Sequence, residues 1–417
     1  MLKQIEGSRA MAETIALCRP QVICAYPITP QTHIVEGLGE MVKAGALTGC
    51  EFINVESEFA ALSVAIGASA AGARSYTATS SQGLLFMAEA VYNAAGLGLP
   101  IVMTLGNRAI GAPINIWNDH SDAMSMKDAG WIMLFAETNQ EAADLHIQAF
   151  RLAEALSCPV MVCVDGFILT HAYERIDLPA QEQVDAYLPP FEPMQVLDPA
   201  DPVSIGAMVG PEGFTEVRYL AHHKQLRALE MIPDLAVEFE ERFGRAAGGL
   251  LHSYRAADAE TLIVAIGSVN GTIKDVVDEM RDDGHPIGCV VLTSFRPFPL
   301  ARLHAALERA GRVVVVEKSL AVGLGGVLAS NVRMALRGLA TPVHTAIAGL
   351  GGRPITKGSL RRLFEEAGRG TLDDITFLDL NTAVVQREIE RMDAVPRPGP
   401  IAENILRSAG PPMSRAV

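Results

Sequence analysis

Apolar and polar positions follow two alternating rhythms along this chain. Over residues 1–170, short apolar runs rich in Val and Ile are separated by stretches in which apolar positions return every three or four residues. The runs predict strands at 21–26 (QVICAY), 52–56 (FINVE), 75–79 (SYTAT), 100–105 (PIVMTL), 131–136 (WIMLFA) and 159–166 (PVMVCVDG). The intervening periodicity predicts helices at 7–18, 31–44, 58–72, 83–96 and 140–156. The strands lack clean in–out alternation, so they read as buried on both faces: a parallel α/β sheet with helices on either side.

From 176 to 255 this rhythm fails. DLPAQEQVDAYLPPFEPMQVLDPADPVS, rich in Pro and acidic residues, reads as a connector, and one charged helix follows it. A second, smaller α/β unit is expected over 256–370, with strands in TLIVAIGS, IGCVVLTSFRPFP and RVVVVEKS and helices in NGTIKDVVDEMRDDG and LARLHAALERAG. The expected organisation is therefore a first domain over 1–175, a connector with a charged helix over 176–255, the second domain over 256–370, and a C-terminal extension over 371–417. That extension holds a short DITFLDL run, a charged helix and a Pro-rich end expected to be partly disordered.

Composition narrows the function classes. Of 417 residues 49% are hydrophobic, yet no apolar run approaches the ~18–20 residues of a membrane span. The first twenty residues carry charges throughout and do not read as a signal peptide, so a cytoplasmic location is expected. A net charge of −14 argues against nucleic acid as a partner. The six cysteines are scattered, the nearest pair being Cys158 and Cys163, so no iron–sulfur or zinc site is expected in this chain and no metal ligand is assigned.

Four stretches carry candidate chemistry. In CAYPITPQTH, prolines 27 and 30 restrict Tyr26 and Thr29 and present the Thr29 hydroxyl at a strand's end. Glu58 opens an Ala- and Ser-rich helix, apolar nearly all round and so expected to be buried. Its carboxylate reads either as an ordinary N-terminal charge or as a group aimed at a ligand's protonated nitrogen. Arg108 leaves a strand into a Gly/Pro-rich loop, where it either holds a carboxylate or pairs with Asp119 or Asp122. Asp119, His120 and Asp122 read better as a hydrogen-bonded turn than as a metal site. The glycines of VVVVEKSLAVGLGGVLA miss the dinucleotide spacing and read as a turn opening a helix.

Taken in order, AYPITPQT, VESEFAALSVAIGASAAGARSYTATSSQGL, GNRAIGAPINIWNDHSD and VDGF resemble the α subunit of the 2-oxoacid:acceptor (ferredoxin) oxidoreductases, and VAIGSVNGTIKDVV, SFRPFP, VVVVEKS and GLGGRPIT continue the resemblance. It implies a thiamine-diphosphate-type pyrimidine-binding domain followed by a transketolase-C-terminal-like domain. The implied activity is CoA-acylating oxidative decarboxylation of pyruvate, a branched-chain or an aromatic 2-oxoacid such as phenylglyoxylate. Under it, Glu58 contacts N1′ of the cofactor's aminopyrimidine, with Tyr26, Pro27 and Ile28 beside it. Thr29 and Arg108 serve substrate and catalysis, and Gln31 and Trp117 shape the substrate's side-chain pocket. Trp117 reads equally well as a buried structural residue.

No Gly-Asp-Gly occurs, so the diphosphate and Mg²⁺ are expected on a β subunit and the cofactor is shared between chains. The resemblance further implies γ and ferredoxin-like δ subunits with iron–sulfur clusters, and in some enzymes a flavin subunit that reduces NAD. Two alternatives stand beside it: a non-catalytic scaffold subunit, and a non-redox thiamine-diphosphate transferase.

Overall fold

The computed structural model describes residues 2–409, and the last eight residues of the Pro-rich end, 410–417, lie outside the described residues. The chain begins with strand β1 (Leu2–Glu6), helix α1 (Gly7–Leu17), β2 (Val22–Ala25), α2 (Thr32–Lys43), β3 (Glu51–Asn54) and α3 (Glu58–Ala70). It continues with β4 (Ser75–Thr79), α4 (Ser81–Phe86), α5 (Ala88–Leu97), β5 (Ile101–Asn107), α6 (Ser121–Ser125), β6 (Ile132–Phe135), α7 (Asn139–Leu156) and β7 (Val160–Asp165). Then come β8 (Tyr173–Asp177), α8 (Gln181–Tyr187) and the long α9 (Phe214–Phe243). Later strands are β9 (Leu251–Tyr254), β10 (Thr261–Ala265), β11 (Ile287–Leu292), β12 (Ser294–Arg296), β13 (Arg312–Glu317), β14 (Val343–Ile347) and β15 (Ile375–Phe377).

Two sheets result. The first has seven strands in the order β12-β6-β7-β5-β4-β2-β3, all pairs parallel except that of β12 with β6. The second has six strands, β15-β14-β13-β10-β11-β9, with the central pairs parallel and β9 antiparallel at its end. β4, β5, β6 and β7 are buried along their whole length, which is why their Val/Ile-rich sequences show no alternation. One apolar cluster joins the first sheet to α1, α2, α7 and α9. The other joins it to α3, α5 and the second unit, including Leu262, Val264, Phe295 and Val313.

The structure departs from the sequence expectations where pairing is non-local. Leu2–Glu6, outside every expected element, is a strand because it pairs antiparallel with Tyr173–Asp177. The expected helix 83–96 is two helices that meet at Met87. IGCVVLTSFRPFP is two strands: β11 stays in the second sheet, and β12 crosses to edge the first. The expected connector is also part of a core, since Tyr187, Ile232, Leu235, Phe239 and Phe243 are buried in the first domain's cluster.

Helix α3 is not covered all round: Phe59, Ser63 and Gly67 form an open stripe along this chain. Residues 2–376 form one compact unit. The unit beginning at Phe377 holds helices Thr382–Ala394 and Ile401–Ala409, the first opened by the Asn381 side chain accepting from Val384 N. No helix of the described residues is long and apolar enough to cross a membrane.

Candidate active site

Strands β2, β4 and β5 are neighbours, so the turns after them open at one sheet edge, where ligands bind in parallel α/β folds. After β2, Gln31 N donates to Ile28 O at 3.0 Å and closes a turn that leaves Tyr26, Pro27 and Thr29 exposed and Ile28 half-buried. Gln31 itself is 0% exposed; its Nε2 donates to Tyr26 O at 2.9 Å and Ala78 O at 3.4 Å, bracing the turn from beneath.

Arg108, at the end of β5, reaches across to this turn. Its Nη1 donates to Thr29 O at 2.9 Å and its Nε to Asn115 O at 3.2 Å. Both are carbonyls; no described carboxylate forms an ion pair with the guanidinium, and no described group accepts from Nη2. Burial lowers its pKa against the opposing charge of Asp122, so a buried cation stands ready for an anionic ligand. The pairing with Asp119 or Asp122 left open by the sequence does not form through the side chain.

Glu58 sits in the first turn of α3, whose N-terminus is capped by the Ser57 hydroxyl accepting from Ala60 N at 3.2 Å. It is 8% exposed, and no described group hydrogen-bonds its carboxylate. Across from it lies the turn after β4. A Cβ at Gly83 would meet Thr79 Oγ1 at 2.5 Å and Glu58 Oε1 at 2.8 Å, so only glycine lets this turn approach the carboxylate. Ser81 holds a left-handed φ of 48° in the same turn.

Buried polar atoms without partners gather here: Gln31 Oε1, Thr79 Oγ1, Ser80 Oγ, Asn107 Oδ1 and Asn118 Oδ1. Buried polar groups are normally hydrogen-bonded, so such a concentration marks a place that another molecule completes. An unpartnered carboxylate among neutral hydrogen-bonding groups fits an aminopyrimidine ring. Around the described turns, no cluster of carboxylates offers a Mg²⁺ site.

The loop from Arg108 to Asp122 is held by carboxylates that accept backbone and side-chain hydrogen bonds and do not pair with Arg108's side chain. Asp119 accepts from Ser121 N at 2.9 Å and from Gly351 N at 3.1 Å, and Asn115 Nδ2 donates to Gly351 O at 3.1 Å. Asp122 accepts four N–H bonds. His120 Nε2 meets Asp165 Oδ1 at 2.6 Å, while the other oxygen of Asp165 takes Lys318 Nζ at 2.9 Å and Ser268 N at 2.9 Å. Burial would raise the Asp165 carboxyl, but the charges of Lys318 and His120 hold it well below the usual range. The second domain thus braces the loop from behind.

Lys318, Ser268 and Gly351 lie in stretches that carry the resemblance, but no role toward this loop was legible for them, because tertiary packing alone brings each one in. Trp117 is 52% exposed and packs its ring 4.7 Å from Phe167, so it is not a buried structural residue. Glu6, His33 and His171 offer metal-type atoms within 4.8 Å of one another. His33 Nδ1 already hydrogen-bonds Glu6 Oε1 at 2.6 Å, which partners two of the three without an ion.

At the glycine turn after β13, the Glu317 carboxylate accepts from Leu328 N and Ala329 N and fills the helix N-terminus a dinucleotide would need. All six cysteines are buried. The groove of about 820 Å³ beside α9, lined by Trp131, Arg218, Arg296 and Phe298 among others, includes none of Thr29, Glu58 or Arg108.

A parallel α/β domain backed by a second α/β unit is the architecture of a thiamine-diphosphate-binding fold, and the family comparison assigns it as such. The family model for the pyruvate flavodoxin/ferredoxin oxidoreductase thiamine-diphosphate-binding domain matches residues 13–236, and that for pyruvate:ferredoxin oxidoreductase core domain II matches residues 259–359. The chain belongs to this family, the 2-oxoacid:ferredoxin oxidoreductases, as an α subunit. It is 46% identical over 385 residues to the pyruvate synthase subunit PorA of Methanosarcina barkeri, covering 90% of this chain and 96% of that one.

Identity to PorA of Thermotoga maritima is 43% over 387 residues, 90% and 97% of the two chains. Identity to the ketoisovalerate oxidoreductase subunit VorA of Pyrococcus abyssi is 38% over 367 residues, 87% and 93%. Among solved structures, a 2-oxoglutarate:ferredoxin oxidoreductase from Magnetococcus marinus shares the fold with a TM-score of 0.68 at 19% identity, over 88% of this chain and 65% of that one.

Proposed function

We propose that this chain carries the pyrimidine-facing and substrate-facing half of a shared active site that oxidatively decarboxylates pyruvate to an acyl-CoA. The observation that carries the proposal is the buried Arg108 guanidinium, which bonds to carbonyls alone among the described residues and is set against the Thr29 turn. A 2-oxoacid carboxylate satisfies its free N–H groups and is held there until it leaves as CO₂. The exposed Thr29 hydroxyl, on a turn braced by Gln31 and Arg108, meets the substrate's oxo oxygen. Glu58 accepts a hydrogen bond from the pyrimidine ring and thereby sets its tautomer. Thiamine diphosphate, when bound, supplies the carbon nucleophile and the electron sink for decarboxylation.

The absence of Gly-Asp-Gly supports a partner that holds the diphosphate and Mg²⁺. The open Phe59–Ser63–Gly67 stripe and the exposed Phe86, Ile114 and Trp117 support a partner surface at this edge. Electrons then pass to iron–sulfur subunits and on to ferredoxin, or to NAD through a flavin subunit. Greater identity to pyruvate synthase subunits than to the ketoisovalerate subunit supports pyruvate over branched-chain or aromatic acids such as phenylglyoxylate.

The test is to co-purify the chain with its partner subunits and assay a panel of 2-oxoacids with CoA and a one-electron acceptor. Pyruvate should give the highest kcat/KM. A colourless complex active only in ketol transfer would overturn the proposal.

A further inference from the structure

Asp122 lies at the base of the loop carrying Arg108 and is 0% exposed. Its Oδ2 accepts from Ser81 N at 3.0 Å and from Arg108 N at 2.9 Å; its Oδ1 accepts from Asn107 Nδ2 at 2.9 Å and from Ala123 N at 2.7 Å. Four donors converge on four lone-pair sites. This is an arrangement that only an ionised carboxylate satisfies, because a carboxyl O–H or an amide NH₂ would point a hydrogen at another hydrogen.

The two bonds to Oδ2 join the sides of the site. Arg108 N belongs to the substrate side. Ser81 N belongs to the left-handed turn whose Gly83 abuts Glu58, on the cofactor side. The Ser81 hydroxyl also donates to Ala109 O at 2.5 Å, directly beside Arg108. We propose that ionised Asp122 is the positioning residue of this site, keeping the Arg108 guanidinium and the Ser81–Gly83 turn in the register that substrate binding requires. It touches neither substrate nor cofactor and acts through Arg108 and Ser81.

Protonation would undo this arrangement. Burial pushes the Asp122 carboxyl up to about 6, against the lowering effect of its four hydrogen bonds. The charged and titratable groups that bear on it are the Arg108 guanidinium at the end of β5 and the Cys163 thiol on β7. Asn107, Ser81 and Ala123 present neutral groups. Because the folded-state value is raised above the ordinary 3.8, the fold gains proton affinity between those two values. Acidification from pH 6.5 to 5 therefore protonates Asp122 without costing stability on its account, while the register is lost. A 2-oxoacid's own carboxyl stays ionised throughout that range.

The inference rests on Arg108 holding the substrate carboxylate, and the experiment separates the two ideas. Kcat and KM for pyruvate are measured from pH 5 to 8 on the complex with its partner subunits, for the wild type, Asp122→Asn and Arg108→Gln. Thermal melts at each pH accompany them. The wild type should lose kcat/KM below a midpoint near pH 6 with its fold intact. Asp122→Asn should raise KM about tenfold at pH 7, the scale of one lost charge-assisted hydrogen bond, and should lack that acid limb.

An Asp122→Asn complex with unchanged KM, or with the same acid limb, would overturn the positioning role. If Arg108→Gln leaves KM unchanged, the Arg108 assignment fails on its own account. Should Asp122→Asn not assemble, the wild-type profile decides: no acid limb in kcat/KM between pH 5 and 7 overturns the proposal.

Discussion

Arg108 Nη1 donates to the carbonyl oxygen of Thr29 at 2.9 Å, joining two loops 79 residues apart. This one bond brings the restrained hydroxyl and the buried cation to the same edge. Arg108→Gln should raise KM for the 2-oxoacid roughly 10- to 100-fold, the worth of charge-assisted hydrogen bonds to a carboxylate. Arg108→Lys should fall between, because it keeps the charge and loses the fork. Steady-state kinetics on the assembled complex check both.

Glu58→Gln should lower turnover by about 100-fold or more, the scale of lost general acid–base assistance. Its melting temperature should not fall, since Glu58 has no protein partner to lose and a buried unpaired carboxylate is costly in the native state. Loss of activity together with loss of fold would argue instead for a structural role. Parallel assays and thermal melts distinguish the two.

Lys318→Met should destabilise the chain by about 3–5 kcal/mol, because it leaves Asp165 with half its compensation in a buried position. Asp165→Asn combined with Lys318→Met should recover part of that loss. A double-mutant cycle from urea unfolding measures the coupling.

His146 sets a pH dependence for stability. Its Nε2 contacts Thr104 Oγ1 at 2.6 Å, and burial lowers the imidazole to about 4. The folded state therefore binds fewer protons than the unfolded one between pH 6.5 and 4. The stability it contributes is fully present above 6.5 and is lost as pH falls towards 4, up to about 3 kcal/mol. His146→Gln should flatten that slope in thermal melts taken across the range.

Trp117→Ala should change the ratio of kcat/KM for pyruvate to that for 2-ketoisovalerate with little effect on folding, since the ring is half exposed. Gln31→Ala should raise KM by loosening the Thr29 turn from below, not by opening a pocket wall, because Gln31 is fully buried. Competition between the two acids in one assay reads Trp117→Ala, and the KM for pyruvate reads Gln31→Ala.

Local pattern was enough for much of this molecule. Strand after strand of the first sheet lies within one or two residues of its sequence expectation, because an apolar run long enough to be buried on both faces has few other conformations open to it. The positions of Thr29, Glu58 and Arg108 at the sheet's carboxyl edge were legible for a related reason, since each lies in the loop or turn after a strand, while the roles proposed for them came with the resemblance. Non-local pairing was not legible. Leu2–Glu6 is a strand only because Tyr173–Asp177 lies beside it, and Ser294–Arg296 edges the first sheet only because two sheets pack together.

The same limit applies within the site. Asp122 stood in the sequence as one of several loop acids; four converging N–H groups from three segments make it a hub. Lys318 bonds Asp165 across 153 residues and Gly351 bonds Asp119 across 232, and hydrogen-bond geometry of that kind is decided by packing, which no local spacing encodes.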